Sequence, residues 1–153
     1  MAGGESVQQT VDGGYIICGA ISSVDVYAGY VYRDVFLVKT DGNGIEQWTQ
    51  TFGGIFDDKG NSVQQTSDGG YIILGNTISQ YNESSDVLLI KLGRMGSVEW
   101  SQSYGSNQEE IGNSISVTSD GGYILCGHAV SPNTGFSSAY LIKIDEVGNE
   151  LWS

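Results

Sequence analysis

A repeat of about 52 residues constrains the fold of this chain more than any other feature of its sequence. Tryptophans and lysines recur at intervals of 52, as Trp48, Trp100 and Trp152 and as Lys39, Lys91 and Lys143. The string Asp-Gly-Gly-Tyr-Ile begins at Asp12, Asp68 and Asp120. Three copies fill the 153 residues, so we expect one repeat domain over 1–153, with units at about 1–53, 54–105 and 106–153.

Each unit has the pattern of four short antiparallel strands. In the first copy a polar strand at residues 6–9 precedes an Asp-Gly-Gly turn, which supplies the positive φ of a tight hairpin. Apolar strands at 15–18 and 35–38 follow, and then a strand that carries Trp48. No segment has a helical apolar period, so almost no helix is expected.

The two middle strands of each unit are continuous apolar runs, which are typical of strands buried on both faces. Units of this kind must stack face to face, and radial stacking predicts an all-β β-propeller with three four-stranded antiparallel blades. A β-sandwich is the alternative, but it does not predict a repeat of this length. Cys18 and Cys126 lie at equivalent positions in these runs and are expected to be small buried side chains.

Three blades are too few to close a ring, and each end blade would leave an apolar face uncovered. We therefore expect two copies to form a six-bladed homodimeric ring, or else the chain to be a piece of a longer propeller. The partner that the sequence predicts first is thus a second copy of this chain.

Segments 41–48 and 145–152, each an Asp, a turn Gly and a Trp, resemble the tryptophan-docking motif of quinoprotein-like propellers. The middle copy departs from this motif, because Gly93 replaces the Asp. The whole unit also resembles WD-like blades and the repeats of archaeal and bacterial secreted or surface proteins. These resemblances imply a propeller in which each Trp packs on the neighbouring blade, and an extracellular or cell-surface origin.

The segments around the three Asp-Gly-Gly turns are also similar to the Asp-box hairpin of sialidase-type propellers, which implies a turn device away from any active site. We therefore interpret Asp12, Asp68 and Asp120 as acceptors for backbone N–H groups. The recurring lysines are expected to pair with a carboxylate or a strand-end carbonyl. In the preferred register the polar strand is innermost and the Trp strand outermost.

The net charge of −12 excludes polyanionic partners, because six Lys and Arg cannot neutralise the phosphates of a nucleic acid or an anionic membrane surface. The first residues lack the basic and apolar regions of a signal peptide, so none is expected in this chain. With one histidine and two distant cysteines, no zinc site is expected. No nucleotide-binding glycine loop is present in the sequence.

Acidic side chains give the one candidate metal site. Asp58 and Glu110 are 52 residues apart and equivalent, so a ring of such acids on one propeller face could hold Ca²⁺. The alternative is a set of solvated loop acids. No other cofactor is expected, and no catalytic residue is assigned.

The variable loops at 22–33, 79–85 and 131–138 are the predicted ligand-binding regions, because they are rich in aromatic, hydroxyl and amide side chains. The candidate residues are Tyr27, Tyr30, Tyr32, Tyr81, Asn82, Asn133 and Phe136. The favoured function is a non-enzymatic binding or scaffold module for carbohydrate or protein. The alternative is a propeller glycoside hydrolase or lyase that uses carboxylates at the channel mouth.

Overall fold

The computed structural model describes residues 2–24, 29–78, 84–106 and 108–153. Within these ranges the chain forms twelve β-strands and no helix, arranged as three four-stranded antiparallel sheets. The all-β prediction and the four-stranded units are therefore confirmed. In the described residues there is accordingly no helix long and apolar enough to cross a membrane.

Each sheet is a meander in which consecutive strands are neighbours. The first sheet contains β1 (Ala2–Gln9), β2 (Tyr15–Val24), β3 (Val31–Thr40) and β4 (Glu46–Phe52). The second contains β5 (Asp58–Gln65), β6 (Tyr71–Ile78), β7 (Ser85–Leu92) and β8 (Val98–Tyr104). The third contains β9 (Glu109–Val117), β10 (Tyr123–Val130), β11 (Ser137–Ile144) and β12 (Glu150–Trp152).

The strands extend further than the sequence pattern predicted, and this corrects the bounds of the variable loops. Strand β2 continues to Val24 and β3 begins at Val31, so that Ser23 pairs with Tyr32 inside the first predicted loop. Valine and tyrosine favour extended backbone, which accounts for the longer hairpin. Tyr32 is therefore a strand residue, and Ser85 likewise belongs to β7.

The polar first strands of the three sheets run close to one another. Strand β5 contacts both β1 and β9. Glutamine side chains join them: the Gln65 N–H donates to Gln8 Oε1 at 2.6 Å, and the Val117 N–H donates to Gln64 Oε1 at 3.1 Å. The sheets therefore converge at this edge, which is the edge expected to be innermost in a propeller.

Two hydrophobic cores fill the spaces between the sheets. The first contains Ile16, Cys18, Val35, Leu37, Val63, Tyr71, Ile73, Ile90 and Leu92. The second contains Ile72, Leu74, Val87, Leu89, Ile115, Tyr123, Leu125 and Ile144. The middle sheet contributes to both cores, whereas each outer sheet contributes one face.

The two cysteines differ, contrary to the prediction that both are buried. Cys18 is fully buried against the second sheet, and burial raises the pKa of its thiol to about 12. Cys126 has the same place in the third sheet but is exposed. The reason is that no described residue covers that face of the third sheet. Both cysteines are free thiols.

Candidate functional site

The sheets have two distinct ends that carry different chemistry. The turn end consists of the hairpin turns around 10–14, 66–70 and 118–122, together with those around 41–45, 93–97 and 145–149. The loop end consists of the β2–β3, β6–β7 and β10–β11 connections and the connectors between sheets.

At the turn end, each Asp-Gly-Gly turn is held by a lysine from the third strand of the same sheet. Asp12 Oδ1 accepts a hydrogen bond from the Gly14 N–H at 3.0 Å, and Lys39 Nζ forms an ion pair with Asp12 Oδ2 at 2.9 Å. Lys39 also donates to the Thr40 carbonyl at 2.8 Å. The lysine therefore ties the turn to the end of β3.

The other two sheets repeat this arrangement. Lys91 lies 2.9 Å from Asp68 Oδ2, and Lys143 lies 3.0 Å from Asp120 Oδ2. Burial acts to raise the pKa of Asp68, but hydrogen bonds from Thr66 and Lys91 dominate and lower it to about 2. Hydrogen bonds from Thr118 and Lys143 likewise lower the pKa of Asp120 to about 2. These carboxylates are ionised at neutral pH and engaged within their own sheets.

Both glycines of the Asp-Gly-Gly string are required by the turn. In the middle sheet Gly69 has a φ of 81°, a conformation that side chains other than glycine adopt with strain. A Cβ at Gly70 would overlap the Leu92 carbonyl oxygen and lie 2.8 Å from Lys91 Nζ. The string is thus explained by turn geometry and by the close approach of the lysine.

The tryptophan and the tyrosine of the repeat contact each other across neighbouring sheets. The ring centroids of Trp48 and Tyr71 are 5.7 Å apart with an interplanar angle of 68°. Trp100 and Tyr123 form the equivalent pair at 6.3 Å. The first pair is edge-to-face and the second is tilted, and aromatic pairs at such distances add to the stability gained by burial. One contact between neighbouring sheets therefore uses both recurring aromatic positions.

The predicted ligand-binding residues belong to the loop end, and four of the seven lie within the described residues. Tyr27, Tyr81 and Asn82 lie outside the described residues. Tyr30 is 72% exposed and Phe136 is 76% exposed, whereas Tyr32 is half-buried in β3. Asn133 is exposed in the β10–β11 connection. The described candidates therefore lie on the first and third sheets, Tyr30 and Tyr32 on one and Asn133 and Phe136 on the other.

Carboxylates cluster at the loop end between the first and second sheets. Asp58 is 6% exposed, and its Oδ2 accepts a hydrogen bond from the Gly54 N–H at 3.1 Å. Burial raises its pKa, and the charges of Asp34 and Asp57 act in the same direction. A Cβ at Gly53 would overlap the Asp34 carboxylate, so only a glycine at this position leaves space for that carboxylate. Asp58 is therefore packed beneath the connector and not presented to solvent.

The second interface has a related pair, Asp86 and Glu110. Asp86 Oδ1 is buried without a hydrogen-bond partner among the described residues, and burial and the Glu110 charge raise the pKa of Asp86. The Glu110 carboxylate accepts hydrogen bonds from the backbone N–H and the hydroxyl group of Ser106. In the described ranges no three His, Cys, Asp or Glu side chains form a group that could hold a metal ion. The calcium site at Asp58 and Glu110 stays a prediction.

A cleft at the turn end, between the first and second sheets, was missed by the sequence reasoning. Its volume is about 530 Å³, and Trp48, Tyr71 and Arg94 contribute to its walls. The signal in the sequence was the departure of Arg94 from the repeat, because the equivalent third-sheet residue is Glu146. Asp34 and Asp86 were missed as well, although they too are 52 residues apart.

Comparison with known proteins adds no family assignment. No protein-family model matches the chain, and no curated protein matches it either.

Proposed function

We propose that this chain is a non-enzymatic propeller module of the surface-protein kind, in which two copies complete a six-bladed ring. The loop end of that ring binds a carbohydrate or protein ligand. One observation supports the proposal: the first and third sheets each have one exposed face, and these two faces are equivalent to the two faces that meet in each buried interface between sheets.

The open face of the third sheet is equivalent to two buried faces. These are the face of the first sheet that packs on the second, and the face of the second sheet that packs on the third. Leu37 and Leu89 are fully buried on that side, whereas the equivalent Leu141 is 52% exposed. Trp152, the equivalent of Trp48 and Trp100, is 53% exposed. Side chains that the repeat buries twice are thus uncovered in the third copy.

The open face of the first sheet corresponds to the opposite side of the same interface. Tyr71 and Tyr123 are buried there, whereas the equivalent Tyr15 is 37% exposed. Val7 is exposed, although its counterpart Val63 is buried. In a closed ring Trp152 of one copy would pack on Tyr15 of the other, as Trp48 packs on Tyr71.

The number of blades limits how a ring can close. Faces of this complementary, head-to-tail kind form a ring when the rotation between copies closes, and a filament when it does not. Propellers have about four to eight blades. With three sheets in each chain, six is the multiple of three in that range, so two copies are needed.

The ring is tested by mass and by the reactivity of Cys126. We expect sedimentation or light scattering to give the mass of two chains, and alkylation of Cys126 to slow as protein concentration rises. Cys18 is the internal control, since it is buried at every concentration. Leu141→Arg should give a monomer, whereas Val147→Arg, at the turn end, should still dimerise. A monomeric mass with concentration-independent alkylation contradicts the ring.

The ligand is tested on a glycan array together with a panel of candidate proteins. Exposed aromatic side chains bury large areas at low entropic cost, so Phe136→Ala should weaken binding to any ligand found. Ile45→Ala, a change of an exposed apolar residue at the turn end, is the control and should bind normally. Turnover of a bound glycan in a parallel activity screen would contradict a non-enzymatic module.

A further inference from the structure

The cleft at the turn end has the size and the walls of a small-molecule site. Its volume of about 530 Å³ lies within the range of ligand pockets, about 300–1,000 Å³. Trp48, Tyr71 and Val11 supply apolar surface, while Gln47 and Gln65 supply amide groups. Both sheets contribute, so one folded chain forms the whole cleft.

Arg94 is the distinctive charged group of this cleft. Five of the six Lys and Arg residues form ion pairs with carboxylates, but Arg94 forms none within the described part of the chain. Its Nε donates to the Asp68 carbonyl at 2.6 Å, which fixes the position of the guanidinium. An oriented guanidinium has a planar set of donors that matches a carboxylate.

The charge balance of the cleft favours a monoanion. Its lining contains the cations Lys39 and Arg94 and the carboxylate of Asp12. Lys39 is already bound to Asp12, to the Thr40 carbonyl and to Gln47. One positive charge is left, that of Arg94, in a chain whose net charge of −12 repels polyanions.

The other walls suit a ring that has hydroxyl groups. Gln47 Oε1 accepts from Lys39 at 3.1 Å, which orients the amide so that its NH₂ group is the donor side. Gln65 Oε1 accepts a hydrogen bond from the Val11 N–H at 2.9 Å, and its NH₂ group donates one to the Gly69 carbonyl at 3.4 Å, which leaves one amide N–H for a ligand. Fixed amides beside the half-buried Trp48 ring combine polar and apolar contacts at one site.

The equivalent position between the second and third sheets lacks these properties. A Cβ at Gly69 would lie 2.8 Å from Arg94 Nε, whereas a Cβ at Gly121 would lie 3.8 Å from Glu146 Oε2. Burial, together with the charges of Asp68, Glu99 and Glu146, raises the pKa of Tyr123 to about 12. The equivalent position is therefore cationic between the first and second sheets, where Arg94 lies, and acidic between the second and third sheets, where Glu146 lies.

We propose that the cleft between the first and second sheets binds an acidic monosaccharide unit, a sugar that carries one carboxylate. Arg94 binds the carboxylate, the Gln47 and Gln65 amides bind hydroxyl groups, and the sugar ring lies against Trp48. This site needs neither ring closure nor the ligand at the loop end.

The test is a titration of the ¹⁵N-labelled chain with glucuronate at low ionic strength, followed by NMR. We expect shifts at the Trp48 indole, at the Gln65 amide and at Arg94 Nε. Charge-assisted hydrogen bonds are the strong ones, so Arg94→Gln should weaken binding by about tenfold or more. Arg94→Lys, which keeps the charge without the planar donors, should give an intermediate loss.

Arg33→Gln is the matched control, because it removes the same charge from the loop end and should leave the affinity unchanged. Glucose and acetate should each bind more weakly than glucuronate. Equal losses in the two Arg→Gln variants, equal binding of glucose or acetate, or no shift at Trp48 would overturn the site. Dilution to the monomer and Phe136→Ala leave these shifts in place, so failure of the proposed function is distinguishable.

Discussion

The middle and third sheets carry the same motifs, yet they differ in how many of their faces are covered. Leu89 and Leu141 occupy the same position in the repeat, and so do Trp100 and Trp152. In each pair the middle-sheet residue is the more buried one, because only that sheet has a neighbour on both sides. Burial is thus a property of position in the stack and not of the motif.

The contacts between each turn aspartate and its lysine do not follow this difference. Lys91 and Lys143 hold their Asp-Gly-Gly turns at nearly the same distance from the carboxylate. The comparison therefore separates two kinds of interaction: those that depend on a neighbouring sheet and those that each sheet forms by itself. Substitutions at equivalent positions can measure the two kinds separately.

The largest effect is expected at the leucine position. Leu89→Ala should lower the free energy of unfolding by about 2–5 kcal/mol, because it leaves a cavity between two sheets. Leu141→Ala should cost less than about 1 kcal/mol in the monomer, where its side chain is half exposed. Urea unfolding at low protein concentration measures both. Equal losses would mean that the third-sheet face is covered even in the monomer.

A smaller effect is expected at the turn carboxylates. Their pKa of about 2 in the folded state lies below the ordinary value of 3.8, so their stabilisation is present above pH 3.8 and is lost as pH falls toward 2. Asp68→Asn should lower the free energy of unfolding at pH 5 by at most about 1 kcal/mol, since the side chain is largely exposed. The variant and the parent should converge near pH 2.

Asp120→Asn sharpens the comparison, because its contacts lie inside the third sheet. We expect Asp120→Asn to lose stability over the same pH range, with the loss present above pH 3.8 and absent near pH 2, as measured by unfolding. No loss at Asp120 would show that the turn contacts also depend on a neighbouring sheet.

The smallest effect concerns the one turn in which the middle copy departs from the others. Asp41 and Asp145 accept backbone N–H bonds in their turns, whereas Gly93 has no side chain to do so. Gly93→Asn should raise the free energy of unfolding by about 0.5–1 kcal/mol, through the added acceptor and a less flexible unfolded chain. Thermal unfolding measures it, and no gain would mean that Glu99 and Ser97 crowd the new side chain.

Much of the fold followed from the sequence, because the repeat contains its own local instructions. The Asp-Gly-Gly turns and the apolar runs define the hairpins through backbone sterics and side-chain periodicity. The strand ends were less accurate, since Val24 and Val31 extend a hairpin in a segment whose composition is typical of a loop. The loop residues were named from composition, which says nothing about where each side chain points.

The sequence by itself determined three antiparallel sheets, the turn at each Asp-Gly-Gly string and the equivalence of positions 52 residues apart. Only the tertiary structure decided that Cys18 is buried while Cys126 is exposed, and that Arg94 and Trp48 line one cleft. The physical reason is that turns and strands depend on neighbours within a few residues of the chain. Burial depends on which sheet packs alongside, so equivalent cysteines differ because the third sheet has a described neighbour on one face only. The residues that meet in the cleft come from two sheets, and their meeting depends on how those sheets pack.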